Sequence, residues 1–379
     1  MKKIGVDIIQ PLVPSYRKLL FERLSEDPDL LVSIQCGDSN FKGQKSVNMD
    51  IENYFHDKNN IPIMGSSLIW QTGLKLINAR GRGDVLVVCG DVHYVSNIPL
   101  IASARRRGVG IVWWGHARTA GAKPWRIRLR LEVSRRLSDC FLAYTGTGIE
   151  TLEEYGYDRK RLFATGNSID LSAIDRARKS WDEPDLHSFR KKEFPEGTRV
   201  LLFCSLLTKK TKLDMAIRAI SSLKDERIAL VVIGDGPMRD DYERLSEKCG
   251  LKERVRWLGE IREQEILAPW FLSADAFIYP GAIGLSLLHA FAYGLPVITH
   301  GNAANQMPEF EAMVPGFNGV TFRENDVNDL SRTISELLND KDRLVSIGKN
   351  AMATVHDKYT MDSMVSNFKQ CIVACSRAF

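Results

Sequence analysis

Short runs of consecutive apolar residues alternate with stretches whose apolar positions recur at helical spacing, nearly from end to end of the chain. Ile4–Ile9, Leu30–Gln35, Val85–Cys89, Gly110–Trp114 and Phe141–Thr145 read as buried strands, with helices over Arg17–Ser25, Ile98–Arg107 and Ile149–Tyr155 between them. The same rhythm resumes at Arg199–Leu207, Ala229–Ile233, Val255–Leu258, Ala276–Tyr279 and Val297–Thr299. Helical patterns close the chain over Asp329–Leu338, Asp340–His356 and Tyr359–Arg377. Strand and helix in strict alternation predict an α/β architecture with parallel sheets. Residues 37–64 are polar and weakly patterned and read as an excursion. Trp125, Ile127, Leu129 and Leu131 alternate with arginines as a strand would, but the length of the stretch and its lack of turns favour a helix.

A chain of 379 residues exceeds one ordinary core and suits two. The break falls at 171–197, which is charged and carries Pro184 and Pro195. The expected division is a first domain at 1–170, a linker at 171–197, a second domain at 198–357 and a terminal helix at 358–379.

Composition narrows the class. A hydrophobic share of 44% with 26% charged residues is that of a water-soluble globular protein. No window has the ~18 apolar residues of a membrane span, and the first residues lack an apolar leader. The seven cysteines are scattered without a CxxC pair, as expected of reduced thiols in the cytoplasm. A net charge of +5 does not by itself imply nucleic acid. The skew is local: residues 105–136 hold ten Lys or Arg against one acid, Glu132. That stretch reads either as a solvated basic face or as a surface that meets anionic lipid at the inner face of a membrane or the pyrophosphate of a lipid-linked acceptor.

The stretch with most chemistry is Tyr279–Thr299, YPGAIGLSLLHAFAYGLPVIT. It reads as a strand end, a glycine turn, a helix and a second strand. The turn at Gly284 leaves the amides of Leu285 and Ser286 at a helix start, where unpaired N–H groups and the helix dipole favour phosphate oxygens; an ordinary βαβ turn is the plainer alternative. His116 follows the strand 110–114, so it lies at the edge of a parallel sheet where ligands bind. Neutral imidazole there can hydrogen-bond sugar hydroxyls or accept a proton; a packing role is the alternative. The loop Pro11–Tyr16, leading into Arg17, lies at the same kind of edge.

These segments resemble retaining glycosyltransferases of family 4, whose donor motif reads E-G-F-G-L-x-x-x-E-A-M-A-x-G-x-P-V. Gly284-Leu285 and Ala290–Val297 fit that motif, whereas Gly281 and His289 stand where its two glutamates belong. Gly234-Asp235-Gly236-Pro237, Leu258-Gly259, Pro308-Glu309 and Asn318-Gly319 match further family segments. So do Ala143-Tyr144-Thr145 and Asn167-Ser168-Ile169-Asp170. At the family's G-R-L-x-x-x-K-G-x-D, Ser205 replaces the arginine and the spacing to Asp214 is one residue longer. The resemblance is strong over 198–357 and weak elsewhere.

It implies a GT-B fold of two Rossmann-like domains, with the last helix packing back on the first. It implies a nucleotide-sugar donor at Lys210, Gly259, Ile261, Gly284, Leu285, Ser286 and His289, with Lys210 preferred to Lys212 as the phosphate cation. His116 would be the catalytic residue, and Tyr16, Arg17 and Arg118 would face the acceptor, a saccharide or lipid-linked oligosaccharide. Neither a cofactor nor an obligatory metal is expected. A nucleotide-sugar epimerase, a phosphorylase or a non-catalytic subunit of the same fold are the rival readings.

Overall fold

The computed structural model describes residues 2–378 apart from 40–44, 64–67, 118–123, 224 and 226. The chain divides into two units. The first comprises Met1–Asn167 with Met361–Phe379, and the second Ser168–Thr360.

The first unit runs β1 (Ile4–Ile9), α1 (Lys18–Glu26), β2 (Leu30–Gly37), β3 (Tyr54–Lys58), β4 (Asn60–Ile63), β5 (Leu68–Gln71), β6 (Val85–Cys89), α2 (Asn97–Arg106), β7 (Gly110–Gly115), α3 (Pro124–Leu137), β8 (Cys140–Ala143), α4 (Gly146–Glu154) and β9 (Leu162–Ala164). Seven of these strands form one parallel sheet in the order β3-β2-β1-β6-β7-β8-β9, while β4 and β5 make an antiparallel hairpin. The continuous apolar runs follow from burial of both sheet faces under helices. The weakly patterned stretch after β2 thus holds two short strands, β3 and β4, that its polar composition concealed, and β5 follows it.

The strand-like alternation at 125–131 is resolved as α3. Ile127 (9% exposed) and Leu131 (2%) lie one turn apart and enter the core, whereas Trp125 and Leu129 (59% each) share the outer face. Each inward residue contributes ~1.5–3 kcal/mol through removal of apolar surface from water.

The second unit runs α5 (Leu171–Lys179), α6 (Glu183–Glu193), β10 (Arg199–Cys204), α7 (Leu213–Ser222), β11 (Ile228–Ile233), α8 (Arg239–Lys248), β12 (Val255–Gly259), α9 (Gln264–Ser273), β13 (Ala276–Tyr279), α10 (Ser286–Ala292), β14 (Val297–His300), β15 (Gly319–Phe322), α11 (Val327–Leu338) and α12 (Lys341–Lys358). Its six parallel strands lie in the order β12-β11-β10-β13-β14-β15.

Residues 171–193, read from sequence as part of a linker, fold as α5 and α6 within this unit. Asp170 and Asp182 cap their first turns, and Pro184 sits in the first turn of α6, where no N–H is needed. Ile174 and Ala177 bury against the second core, and Phe189 packs edge-on to Trp181 and Trp270. The dense surface charge hid this short apolar stripe.

The last helix, α13 (Met361–Ser376), belongs to the first unit. Met361, Met364, Phe368, Cys371, Ile372 and Cys375 join its core, and the Phe368 ring stands edge-on to Trp114 at 4.9 Å.

In both sheets the first strand is flanked by the second and by a strand reached after a crossover. The order therefore reverses beside β1 and beside β10. Crevices outside the carboxyl ends of strands at such reversals bind ligands in open α/β sheets.

Candidate functional site

At the reversal in the second unit, the loop 205–211 after β10 is held on both sides by glycines. On the β11 side, a Cβ on Gly234 would stand 2.0 Å from the Ser205 carbonyl oxygen, and one on Gly236 2.5 Å from that of Leu207. On the β13 side, a Cβ on Gly281 would stand 2.1 Å from the Lys210 carbonyl oxygen. Backbone bonds complete the clamp: Leu207 N–H donates to Asp235 at 2.8 Å, and Gly281 N–H to Thr211 at 3.1 Å. The buried Tyr242 hydroxyl donates to the Thr208 carbonyl at 2.8 Å.

The Gly281 contact gives the departure at this position a physical reason. The family's first glutamate is incompatible with a loop lying this close, and the loop is the one that carries an extra residue. It ends at Lys212 in a left-handed conformation (φ 50°), unusual for a residue with a Cβ. The Lys212 ammonium donates to Asn325 at 2.7 Å and to Glu324 at 3.3 Å. Lys210 is exposed and has no side-chain partner among the described residues.

The turn 281–285 is positioned from below by Gln306. This buried amide accepts from the Ile283 N–H at 2.7 Å and donates to Thr299 and to the His300 carbonyl. No carbonyl of the described residues takes the Leu285 or Ser286 N–H; the first bond of α10 runs from Leu287 to Gly284 at 2.9 Å. The Ser286 hydroxyl donates to the Cys204 carbonyl at 3.2 Å, so its amide is its free donor. A buried carboxylate, Glu309, lies 3.6 Å from where a Cβ on Gly284 would be.

His289 is half-buried, with Nε2 3.0 Å from the Gln264 side-chain oxygen and its ring against Phe271 at 4.6 Å. Burial pushes its pKa down to about 4, so it is neutral at pH 7. Gly259 ends β12 with φ 75°, its carbonyl taken by the Gly234 N–H at 2.7 Å. Ile261 is half-buried against the core of the unit.

The reversal in the first unit gathers a different set. Gly90 and Gly115 bring the ends of β6 and β7 together, since a Cβ on either would stand 2.5–2.7 Å from the other's Cα. His116 follows, with its ring 4.4 Å from that of Tyr144. The imidazole is exposed on one side, yet its pKa is pushed down to about 4, by desolvation first and then by Arg130 and Arg17. Arg17 is buried, donating to the Gln10 side chain and to the Tyr144 hydroxyl at 2.9 Å each. Its guanidinium carbon lies 4.2 Å over the Trp114 ring. Tyr16, at 46%, is exposed beside it. Arg118 lies outside the described residues.

The structure therefore brings Lys210, Gly284, Leu285 and Ser286 to one sheet edge, with Gly259, Ile261 and His289 on elements of the same unit. It brings His116, Tyr16 and Arg17 to the corresponding edge of the first. Sequence reasoning missed Gln306, Trp114 and Arg130. A buried glutamine leaves no spacing signal, and Arg130 is lost among the arginines of its helix. Among the described residues no group of three or more His, Cys, Asp or Glu could hold a metal. No described helix is long and apolar enough to cross a membrane.

Residues 186–354 match the family model described as Glycosyl transferases group 1. The GDP-mannose-dependent alpha-(1-6)-phosphatidylinositol monomannoside mannosyltransferase of Mycobacterium tuberculosis is 27% identical over 254 residues, 62% of this chain and 62% of that protein. The match thus spans less than two thirds of that relative's length. A glycosyltransferase from Rickettsia africae superposes with a TM-score of 0.73 at 13% identity, covering 98% of each chain. Anabaena HepE in complex with UDP superposes at 0.68 with 15% identity, covering 98% of this chain and 99% of that one. These likenesses establish the fold as GT-B, with two Rossmann-like units.

Proposed function

We propose that the chain is a glycosyltransferase that moves a sugar from a nucleotide-diphosphate donor to a saccharide or lipid-linked oligosaccharide, in cell-surface polysaccharide assembly and with retention at the anomeric carbon. The observation that carries this reading is the clamped loop at the second reversal. It sets an exposed cation, Lys210, on the loop packed against the turn whose Leu285 and Ser286 amides no carbonyl of the described residues takes. Such an edge suits a diphosphate.

In transfer, the bond from the anomeric carbon to the diphosphate breaks as an acceptor hydroxyl adds to that carbon. Positive charge builds on the sugar ring and negative charge on the departing phosphates. Lys210 and the two amides would stabilise the second, in place before the charge develops. His116, weakly basic where it stands, suits hydrogen bonding to sugar hydroxyls better than holding a proton. His289, with Nδ1 unpartnered among the described residues, would serve the ribose. The mycobacterial relative's name specifies a lipid-borne acceptor, which fits the outer face of α3, where Trp125 and Leu129 stand exposed among Arg126 and Arg128. No metal enters this scheme.

A thermal-shift panel of UDP, GDP, dTDP and CMP tests the reading. A nucleotide at ~100 times its dissociation constant adds about 2.7 kcal/mol to the folded state, a visible displacement of the melt. At least one nucleoside diphosphate is expected to stabilise; silence across the panel would remove the donor site.

A further inference from the structure

Arg17 is only 8% exposed, and no carboxylate of the described residues pairs with it. A buried cation without an anion is costly. The structure around it supplies neutral partners instead. Of its five N–H groups, one reaches the Gln10 oxygen and one the Tyr144 hydroxyl, and the Nε group is buried with no partner. The indole N–H of Trp114, the ring under the guanidinium, is likewise buried and unpaired. The aromatic face attracts the cation but does not neutralise it.

A second cation lies close. Arg130 donates to the Ala117 carbonyl at 2.7 Å, next to His116, while Arg17 meets His116 through the Tyr144 ring between them. Both arginines act on the His116 imidazole. Among the described residues Asp91 is the acid whose charge reaches that imidazole and Arg130, and its Oδ1 is occupied by the His93 ring at 2.5 Å and the His93 N–H at 3.0 Å. Among the described residues this sheet edge therefore has excess positive charge, and Arg17 keeps N–H groups that neither Gln10 nor Tyr144 takes.

We infer that Arg17, with Arg130, receives an anionic group of the acceptor, a phosphate or a carboxylate, and that Arg17 selects acceptors carrying one. The word acceptor rests on the glycosyltransferase reading; the anion site does not. A tetrahedral or planar oxyanion would take the free edge of the guanidinium, and the Tyr144 and Gln10 contacts would hold the fork in place. Arg17 is thereby a specificity-determining residue.

The test uses the whole protein with 15N-labelled arginine and inorganic phosphate as probe. The Nε–H resonance lost in Arg17→Lys, and again in Arg17→Gln, is that of Arg17. Phosphate added at constant ionic strength is expected to move it saturably, with a dissociation constant on the order of 1 mM. Arg130→Gln should weaken that binding by about tenfold. Chloride should leave the resonance in place. A linear response without saturation, or none, overturns the site. UDP is the second arm. If UDP moves the same resonance and competes with phosphate, the anion is the donor's and the acceptor assignment falls. Failure of every nucleotide to bind would sink the transferase reading while leaving the phosphate result standing.

Discussion

Gly281 and Thr211 lie backbone to backbone, the glycine N–H donating to the threonine carbonyl at 3.1 Å. This pairing closes the loop after β10 onto the turn before α10. It is possible only without a side chain at 281, because a Cβ there would stand 2.1 Å from the Lys210 oxygen.

Restoring the family's glutamate should therefore harm the protein. Gly281→Glu is expected to cost about 2–4 kcal/mol, because the obstacle is backbone and cannot swing away. Urea unfolding measures it. A variant as stable as the parent would show that the loop is not clamped.

Lys210 and Lys212 should separate by experiment. Lys210→Ala is expected to weaken binding of the stabilising nucleoside diphosphate by about tenfold, or ~1.4 kcal/mol, as judged by calorimetry. Lys212→Ala should leave affinity nearly unchanged and lower stability by ~0.5–1 kcal/mol, since its ammonium is engaged by Glu324 and Asn325. The reverse pattern would move the phosphate contact to Lys212.

Tyr242→Phe removes a hydroxyl that supports the Thr208 carbonyl from beneath. A loss of ~1–1.5 kcal/mol is expected in unfolding experiments, accompanied by weaker nucleotide binding. Full affinity in a destabilised variant would mean that the loop keeps its shape without this strut.

His116 and His289 both titrate at about 4 in the folded protein, against ~6.5 in the unfolded chain. Between those values the unfolded state binds more protons, so stability rises with pH across that window and is lost as pH falls through it. Above ~6.5 both states are neutral and the effect vanishes. Urea midpoints taken from pH 7 to pH 4 should fall, and His289→Gln should flatten the fall. An unchanged slope in that variant would place His289 in a more hydrated setting.

The fold was legible because buried parallel strands carry runs such as Val85–Cys89 and Val200–Phe203 that few other structures require. The Leu285 and Ser286 turn was legible because glycine and proline punctuate it. Three things were not. The strands β3 to β5 are only four or five residues long and depend on a neighbouring strand for their form. The helices α5 and α6 bury few residues, and their charge reads as a linker. The role of Gly281 depends on a loop far away in sequence, and no local pattern reports a contact of that kind. Arg17 stood at a predicted edge, but only the packing shows a cation stacked on Trp114 with no acid of the described residues paired to it.

The first unit draws on segments either side of the second, with Met361–Ser376 supplying Phe368 and Ile372 to its core. On the ribosome its sheet is made early yet lacks a layer until α13, which follows the whole second unit, has been synthesised. The continuous second unit can close while the first still exposes the apolar face reserved for α13, so aggregation and chaperone capture should be greatest in that interval.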